Sequence, residues 1–352
     1  MKKLLSILSF VLLLAILPCL TSCGGSSDDT LYILSFKPEY NEFFNYVNEI
    51  FLNENPSIKK VDYKAVDTAN FNTVFDSRIS SGYLDVFTSQ VIYMMQGSAN
   101  YMEELDMEYY RGILKDQYLE AGSYYDEAVD STERLLTLPL EDVATGVFYN
   151  IDIFNAYNIQ VPTTWSEFIA VCERFNELSK YPEGQYEIEC PIILGGKEEW
   201  PAKNIVNALI GDTVLARDED WCQSFANYDN DQTLRVNTTE WVSAVSRLTD
   251  ISKYISQYCY GLSYSSTPSY FANGRRIGNT TSYYPMMIDG SWSYASIDSE
   301  MNIGFFPLPC QDVAEEKPNM PCKCGTSLSV FKNSNKKELA KKYLEICFRK
   351  EV

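Results

Sequence analysis

The chain has 352 residues, a formal net charge of −19 and no histidine at all. So acidic a balance argues against nucleic acid as a partner and against docking on anionic lipid through basic patches. Without histidine, Ser-His-Asp and Cys-His nucleophile systems are excluded, as are His-liganded zinc and iron. A hydrophobic content of 45% with 26 Tyr and 18 Phe is that of a globular chain, long enough for two lobes.

Residues 1–22 read as a secretory leader. Met1, Lys2 and Lys3 precede an apolar run from Leu4 to Leu20 that is interrupted by Ser6, Ser9, Pro18 and Cys19. A spanning helix needs about 20 apolar residues, and Pro18 breaks the last turn of this one. A basic start, an apolar middle and a small-residue end belong to a removable signal. Leu20-Thr21-Ser22-Cys23 resembles the lipobox of bacterial lipoproteins, which implies cleavage before Cys23 and a diacylglyceryl group on its thiol. Two or more acyl chains hold a soluble domain at a membrane, so residues 23–30 are expected to form a lipidated tether. The expected location is the outer face of the bacterial cytoplasmic membrane.

Eight cysteines remain beyond Cys23: Cys172, Cys190, Cys222, Cys259, Cys310, Cys322, Cys324 and Cys347. Export permits disulfides, but eight cysteines allow 105 connectivities and leave the pairing open. Cys172 and Cys347 fall on apolar helix faces, where a buried free thiol is expected. Cys322-Lys323-Cys324 with Cys310 matches no common zinc spacing. No metal and no cofactor is expected.

Leu31 to Phe36 is a strand-type run ended by Lys37-Pro38. Phe43, Phe44, Val47, Ile50 and Phe51 follow at helical spacing, closed by Asn55-Pro56. Lys60 to Val66 alternates as a strand does. Phe71, Val74, Phe75 and Ile79 predict a second helix stopped by Gly82, and Asp85-Val86-Phe87 starts a third strand. Strand, helix, strand, helix, strand with short connections implies a parallel sheet with crossover helices. Loops at the carboxyl ends of such strands hold ligands. Lys37, Glu39 and Asn41 after the first strand, and Thr88, Ser89 and Gln90 after the third, are therefore candidate contacts.

Leu138-Pro139-Leu140 reads as an extended break between two α/β units. Thr164-Trp165-Ser166-Glu167 is a capping box with Pro162 ahead of it, and Trp165, Phe168, Ile169, Cys172 and Phe175 form the buried stripe of that helix. Cys190 to Leu194 reads as a strand, and Trp241, Val245, Leu248 and Ile251 mark a longer helix. Pro285 to Ile288, Ile303 to Phe306 and Thr326 to Phe331 read as strands. Leu339, Tyr343, Leu344 and Cys347 give a last helix.

Several segments together resemble the extracellular solute-binding proteins of sugar ABC transporters, in the group that includes maltose-binding protein. Ile79-Ser80-Ser81-Gly82-Tyr83-Leu84-Asp85-Val86-Phe87 is one, with Leu84 where proline is usual. Gly146 to Phe154 followed by Val161-Pro162-Thr163-Thr164-Trp165 is the most specific. Phe271-Ala272-Asn273-Gly274, Met286 to Trp292 and Phe306-Pro307-Leu308-Pro309 follow in the family's order. The resemblance implies a periplasmic-binding-protein-like fold: two α/β lobes joined by a hinge, with ligand in the cleft. The expected division is lobe 1 at 31–138, rejoined by part of 325–352, and lobe 2 at 139–324. Related proteins continue past the last helix with a segment that helps close the cleft. This sequence stops at Glu351-Val352, so contacts from that segment are unassigned.

A sugar presents hydroxyls at its ring edge and apolar faces above and below, which calls for aromatic platforms flanked by directional polar groups. Trp165 and Trp241 sit on helix stripes and are expected in the core. Trp292, after Asp289-Gly290-Ser291, stands where the family places a stacking aromatic. Trp200 and Glu198 lie in a loop the family also tends to use. Glu141 and Asp142, at the lobe crossing, are candidate polar contacts, and Asp85 is expected to bond loop amides. The resemblance thus implies a monomeric, lipid-anchored protein that is not an enzyme, captures a carbohydrate and hands it to ABC permease subunits. Paired carboxylates would also suit a surface glycoside hydrolase, and the acidic balance would suit a polyamine ligand.

Overall fold

The computed structural model describes residues 29–90, 97–124, 133–216, 238–298, 300–313 and 318–352. The leader, Cys23, Trp221 and Cys222 lie outside the described residues. The chain divides into two compact units: one ends at Glu141 and resumes with Cys324–Val352, and the other is Asp142–Lys323. Among the described residues no helix is long and apolar enough to cross a membrane.

In chain order the principal elements begin with β1 (Thr30–Ser35), α1 (Asn41–Glu54), β2 (Lys60–Ala65), α2 (Thr68–Ser81), β3 (Val86–Gln90) and β4 (Leu138–Pro139). The second unit follows with β5 (Asp142–Asn150), α3 (Trp165–Lys180), β6 (Ile192–Ile193), α4 (Trp200–Ile210), α5 (Thr239–Ser252), β7 (Met286–Gly290) and β8 (Ile303–Phe306). Then come β9 (Cys322–Cys324), β10 (Thr326–Val330) and α6 (Lys337–Cys347).

The first sheet runs β2-β1-β3-β10-β4. Its β1, β2 and β3 are parallel, with Ile33 opposite Tyr63 on one side and Val86 on the other. Leu31 and Ile33 face a layer built by Phe44, Val47 and Phe51 of α1 and Tyr343 and Leu344 of α6. Leu34 and Phe87 face the opposite layer, where Phe71, Val74, Phe75 and Ile79 of α2 pack. Both sheet faces are covered, which explains why the strands read as near-continuous apolar runs. Each of Phe44, Val47 and Phe51 is fully buried, contributing about 2 kcal/mol by the usual area scale. Helix ends follow their local chemistry. Asp67 accepts from the Asn70 amide to start α2, and Gly82, at φ 74°, ends it in a left-handed turn.

Two expectations for this unit are refined by pairing with β10. Leu138-Pro139 is extended, but it does not stand alone: Leu138 pairs with Leu328, so the stretch is the outer strand of the first sheet. Proline is tolerated there because an edge strand needs only one row of ladder bonds. Nor do Thr88, Ser89 and Gln90 form a loop after the third strand. β10 runs antiparallel beside β3 from Val330 opposite Val86 to Thr326 opposite Gln90, so β3 continues through all three.

The second sheet runs β8-β5-β7-β6, with β9 also paired to β5. β7 is antiparallel to β5 and parallel to β6. Its core gathers Phe168, Cys172 and Phe175 of α3 with Ile192, Ile193, Met286, Met287 and Phe271. The Thr164–Glu167 capping box forms as the sequence predicts, with the Glu167 amide donating to Thr164 Oγ1. The helix expected from Trp241, Val245, Leu248 and Ile251 forms as α5, with Ala244 and Ile251 buried and Val245 57% exposed. Cys172, Cys190, Cys259, Cys310, Cys322, Cys324 and Cys347 are all free thiols. No group of three or more Cys, Asp or Glu able to hold a metal occurs among the described residues.

Candidate functional site

In the first unit the end of β1 and the start of α1 form a polar patch. Lys37 Nζ lies 3.0 Å from Glu39 Oε1 and 3.7 Å from Glu141 Oε1. Glu141 also accepts from the Thr326 amide at 3.1 Å, the Thr326 hydroxyl at 2.7 Å and the Tyr40 hydroxyl. Burial, and then the hydrogen bond and charge of Glu141, hold the Tyr40 hydroxyl protonated far above its ordinary range. Asn41 Oδ1 accepts from the Tyr63 hydroxyl at 3.0 Å. Burial pushes the Tyr63 hydroxyl up to about 12. Lys37, Glu39 and Glu141 are thus brought together, with Asn41 one residue past Tyr40.

Thr88 and Ser89 lie elsewhere. Both are buried, and their hydroxyls are engaged: Thr88 Oγ1 accepts from the Phe36 amide at 2.9 Å, and Ser89 Oγ meets Thr137 and Ser329. Such bonds between neighbouring strands fix the sheet rather than await a ligand. Gln90 sits half-buried at the strand end. Asp85 accepts not from a loop amide but from the Tyr32 amide of β1 at 2.9 Å, and also takes the Ser334 hydroxyl at 2.6 Å.

In the second unit three aromatic rings meet. The Trp200 ring centroid lies 5.7 Å from that of Trp292 and 5.2 Å from that of Tyr264, all tilted. These are offset geometries that ring quadrupoles favour. Trp292 follows β7, whose end is shaped by Asp289: one carboxylate oxygen accepts from the Gly290 amide at 2.8 Å, the other from the Ser293 hydroxyl at 2.7 Å. The Ser291 hydroxyl accepts from the Ala144 amide at 3.2 Å, which ties the turn to β5. Trp200 opens α4 with Pro201 behind it, a position where proline costs no helix bond. Ahead of it the chain turns tightly at Glu199, φ 62°, and the Trp200 amide donates to the Glu198 carbonyl. Glu198 Oε2 accepts from the Tyr264 amide at 3.0 Å, which ties its carboxylate to the backbone that carries the Tyr264 ring.

Trp200, Glu198 and Trp292 are brought together as one patch, while Asp142 is exposed at the start of β5. Sequence reasoning missed Tyr264. Nothing in its local pattern separates it from the other tyrosines, because its place depends on a contact with a loop some sixty residues earlier.

The chain belongs to the bacterial extracellular solute-binding protein family, whose pattern matches residues 65–352. It is 24% identical over 299 residues to the "Multiple sugar-binding protein" of Streptococcus mutans, covering 82% of this chain and 64% of that one. The chain thus spans just under two thirds of that curated relative's length. Among solved structures it resembles one from work on xylan utilization by the thermophilic bacterium Caldanaerobius polysaccharolyticus, with a TM-score of 0.69 and 17% identity over 91% of this chain and 78% of the other. The raffinose complex of RafE gives a TM-score of 0.65 and 20% identity, over 92% and 78%. At these identities the two structures speak to the fold.

Proposed function

We propose that this chain captures a carbohydrate, in particular an oligosaccharide, outside the cell and delivers it to the membrane subunits of an ABC transporter. The observation that carries this reading is the meeting of Trp200, Trp292 and Tyr264 beside the Glu198 carboxylate. Ring faces suit the apolar faces of a sugar, and a carboxylate edge suits its hydroxyls. The Lys37–Glu39–Glu141 patch offers both donors and acceptors to hydroxyls, and we assign it the polar contacts of the first unit. Similarity to the streptococcal relative supports the choice of sugar over other solutes. Capture requires no covalent step, so we read the protein as a receptor rather than an enzyme.

We further propose that Cys23 carries a lipid that holds the protein on the outer face of the cytoplasmic membrane. Mass spectrometry of the membrane-extracted protein tests this, since Cys23→Ser should shed the acyl mass and release the chain.

The test of function is titration with mono- and oligosaccharides, followed by tryptophan fluorescence and melting temperature. A ligand at 100 times its Kd adds about 2.7 kcal/mol of stability. No response across a broad panel would overturn the carbohydrate reading, and release of reducing sugar during titration would overturn the receptor reading.

A further inference from the structure

We propose that Tyr260 forms an outer stacking position beside the Trp200–Trp292–Tyr264 wall, so that the chain selects a sugar of at least two rings over a single one. The proposal rests on the carbohydrate reading above.

Tyr260 is 82% exposed, although it belongs to a tightly held turn, Gln257–Gly261. Its neighbour Cys259 is buried, and Cys259 Sγ accepts from the Leu194 amide at 3.3 Å. The backbone is therefore fixed while the ring stands in solvent. An exposed tyrosine ring is amphipathic, and its two side-chain torsions make it inexpensive to order against a ligand.

The turn is laced to the loop that carries Trp200. The Gly196 amide donates to the Cys259 carbonyl at 3.0 Å, and the Lys197 amide to the Leu262 carbonyl at 3.0 Å. The Tyr264 amide then donates to Glu198. The approach is close enough to require glycine. A Cβ on Gly195 would lie 2.4 Å from Tyr264 Cα, and one on Gly196 would lie 2.7 Å from the Cys259 carbonyl oxygen and 3.5 Å from Tyr260 Cα. Tyr260 thus stands at one end of a rigid seam whose other end holds Tyr264 and Trp200. Lone exposed aromatics are common on protein surfaces. One pinned to the frame of an aromatic wall, with its ring uncovered, extends that wall by a further contact.

The test uses titration calorimetry of the full chain with mono-, di- and trisaccharides of the gluco, xylo and raffinose series. For a series that binds, affinity should rise at least tenfold from one ring to three. Tyr260→Ala should remove about tenfold from the trisaccharide while leaving the monosaccharide unchanged, and Tyr260→Phe should retain the wild-type increment. A trisaccharide that binds the wild type and Tyr260→Ala equally well overturns this proposal alone. Binding of no sugar in the panel overturns it together with the carbohydrate reading. Trp200→Ala separates the two roles, because it should weaken short and long sugars alike.

Discussion

The six-membered ring of Trp292 lies against the backbone of Gly290, so closely that a Cβ at 290 would fall 2.1 Å from two ring carbons. Gly290 is in extended backbone, φ −102° and ψ 166°, which any residue can adopt. Glycine is required there by the ring and not by the turn. Gly290→Ala should therefore leave β7 intact and displace Trp292 from the wall. We expect at least tenfold weaker sugar binding with the melting temperature nearly unchanged, read by calorimetry and thermal melts. Equal affinity would mean that Trp292 is not a contact.

Asp85 is buried beneath Tyr32, Ser334 and Lys336, whose Nζ lies 4.0 Å away. Asp85→Ala strands a buried backbone amide, a hydroxyl and an ammonium together. Each unmet group costs about 1–3 kcal/mol, and a buried charge that loses its partner costs more. The urea unfolding midpoint should fall by an amount equivalent to about 3 kcal/mol or more. A shift below about 1 kcal/mol would show that water replaces the carboxylate.

Acid should loosen the first unit through two carboxylates. Burial raises the Asp62 carboxyl, but hydrogen bonds and charge from Arg78 and Lys60 outweigh it and hold the group below its ordinary 3.8. Glu103 behaves alike: burial raises it, while Lys337 and Lys341 bring it below 4.5. A depressed folded-state value means that the stabilisation is complete above the unfolded value and is lost as pH falls through the folded one. Stability should thus decline below about pH 4, with Asp62→Asn and Glu103→Gln each flattening that limb. Urea midpoints between pH 6 and pH 3 measure it. A limb just as steep in both variants would place the acid sensitivity elsewhere.

The described thiols should divide by burial. Burial pushes Cys190 up to about 12 and Cys259 up to about 11, and raises Cys172, Cys310 and Cys347 strongly as well. The thiolate is the reactive form, so these five should resist alkylation at pH 8, whereas exposed Cys322 should react within minutes. Peptide mapping after iodoacetamide, with and without urea, reads this directly. Labelling of Cys172 in the folded protein would contradict the packing of α3.

The legible parts of the fold are those set by neighbours in sequence. The Thr164–Glu167 box, the stop at Gly82 and the apolar spacing of Phe44, Val47 and Phe51 are all local, and the helices follow them. What sequence left open depends on distant pairing. Whether Thr88 and Ser89 end a strand or continue one is decided by β10, some 240 residues later, and no local pattern carries that information. The same holds for the wall. Trp200 and Trp292 could be singled out because the family resemblance places sugar contacts at their positions, but Tyr264 joins them only through the Glu198 loop. In α5 the apolar spacing marks the helix but not its buried face: Val245 is exposed while Ala244 beside it is buried.

The position of β10 also sets the order in which the protein can mature. It is inserted between β3 and β4, and Leu328 pairs with both Thr88 and Leu138. Strands β1 to β3 therefore keep an open sheet edge until β10, some 240 residues after β3, has been made, while the unit Asp142–Lys323 is continuous in sequence. Native closure of the first sheet falls to a strand made after the second unit.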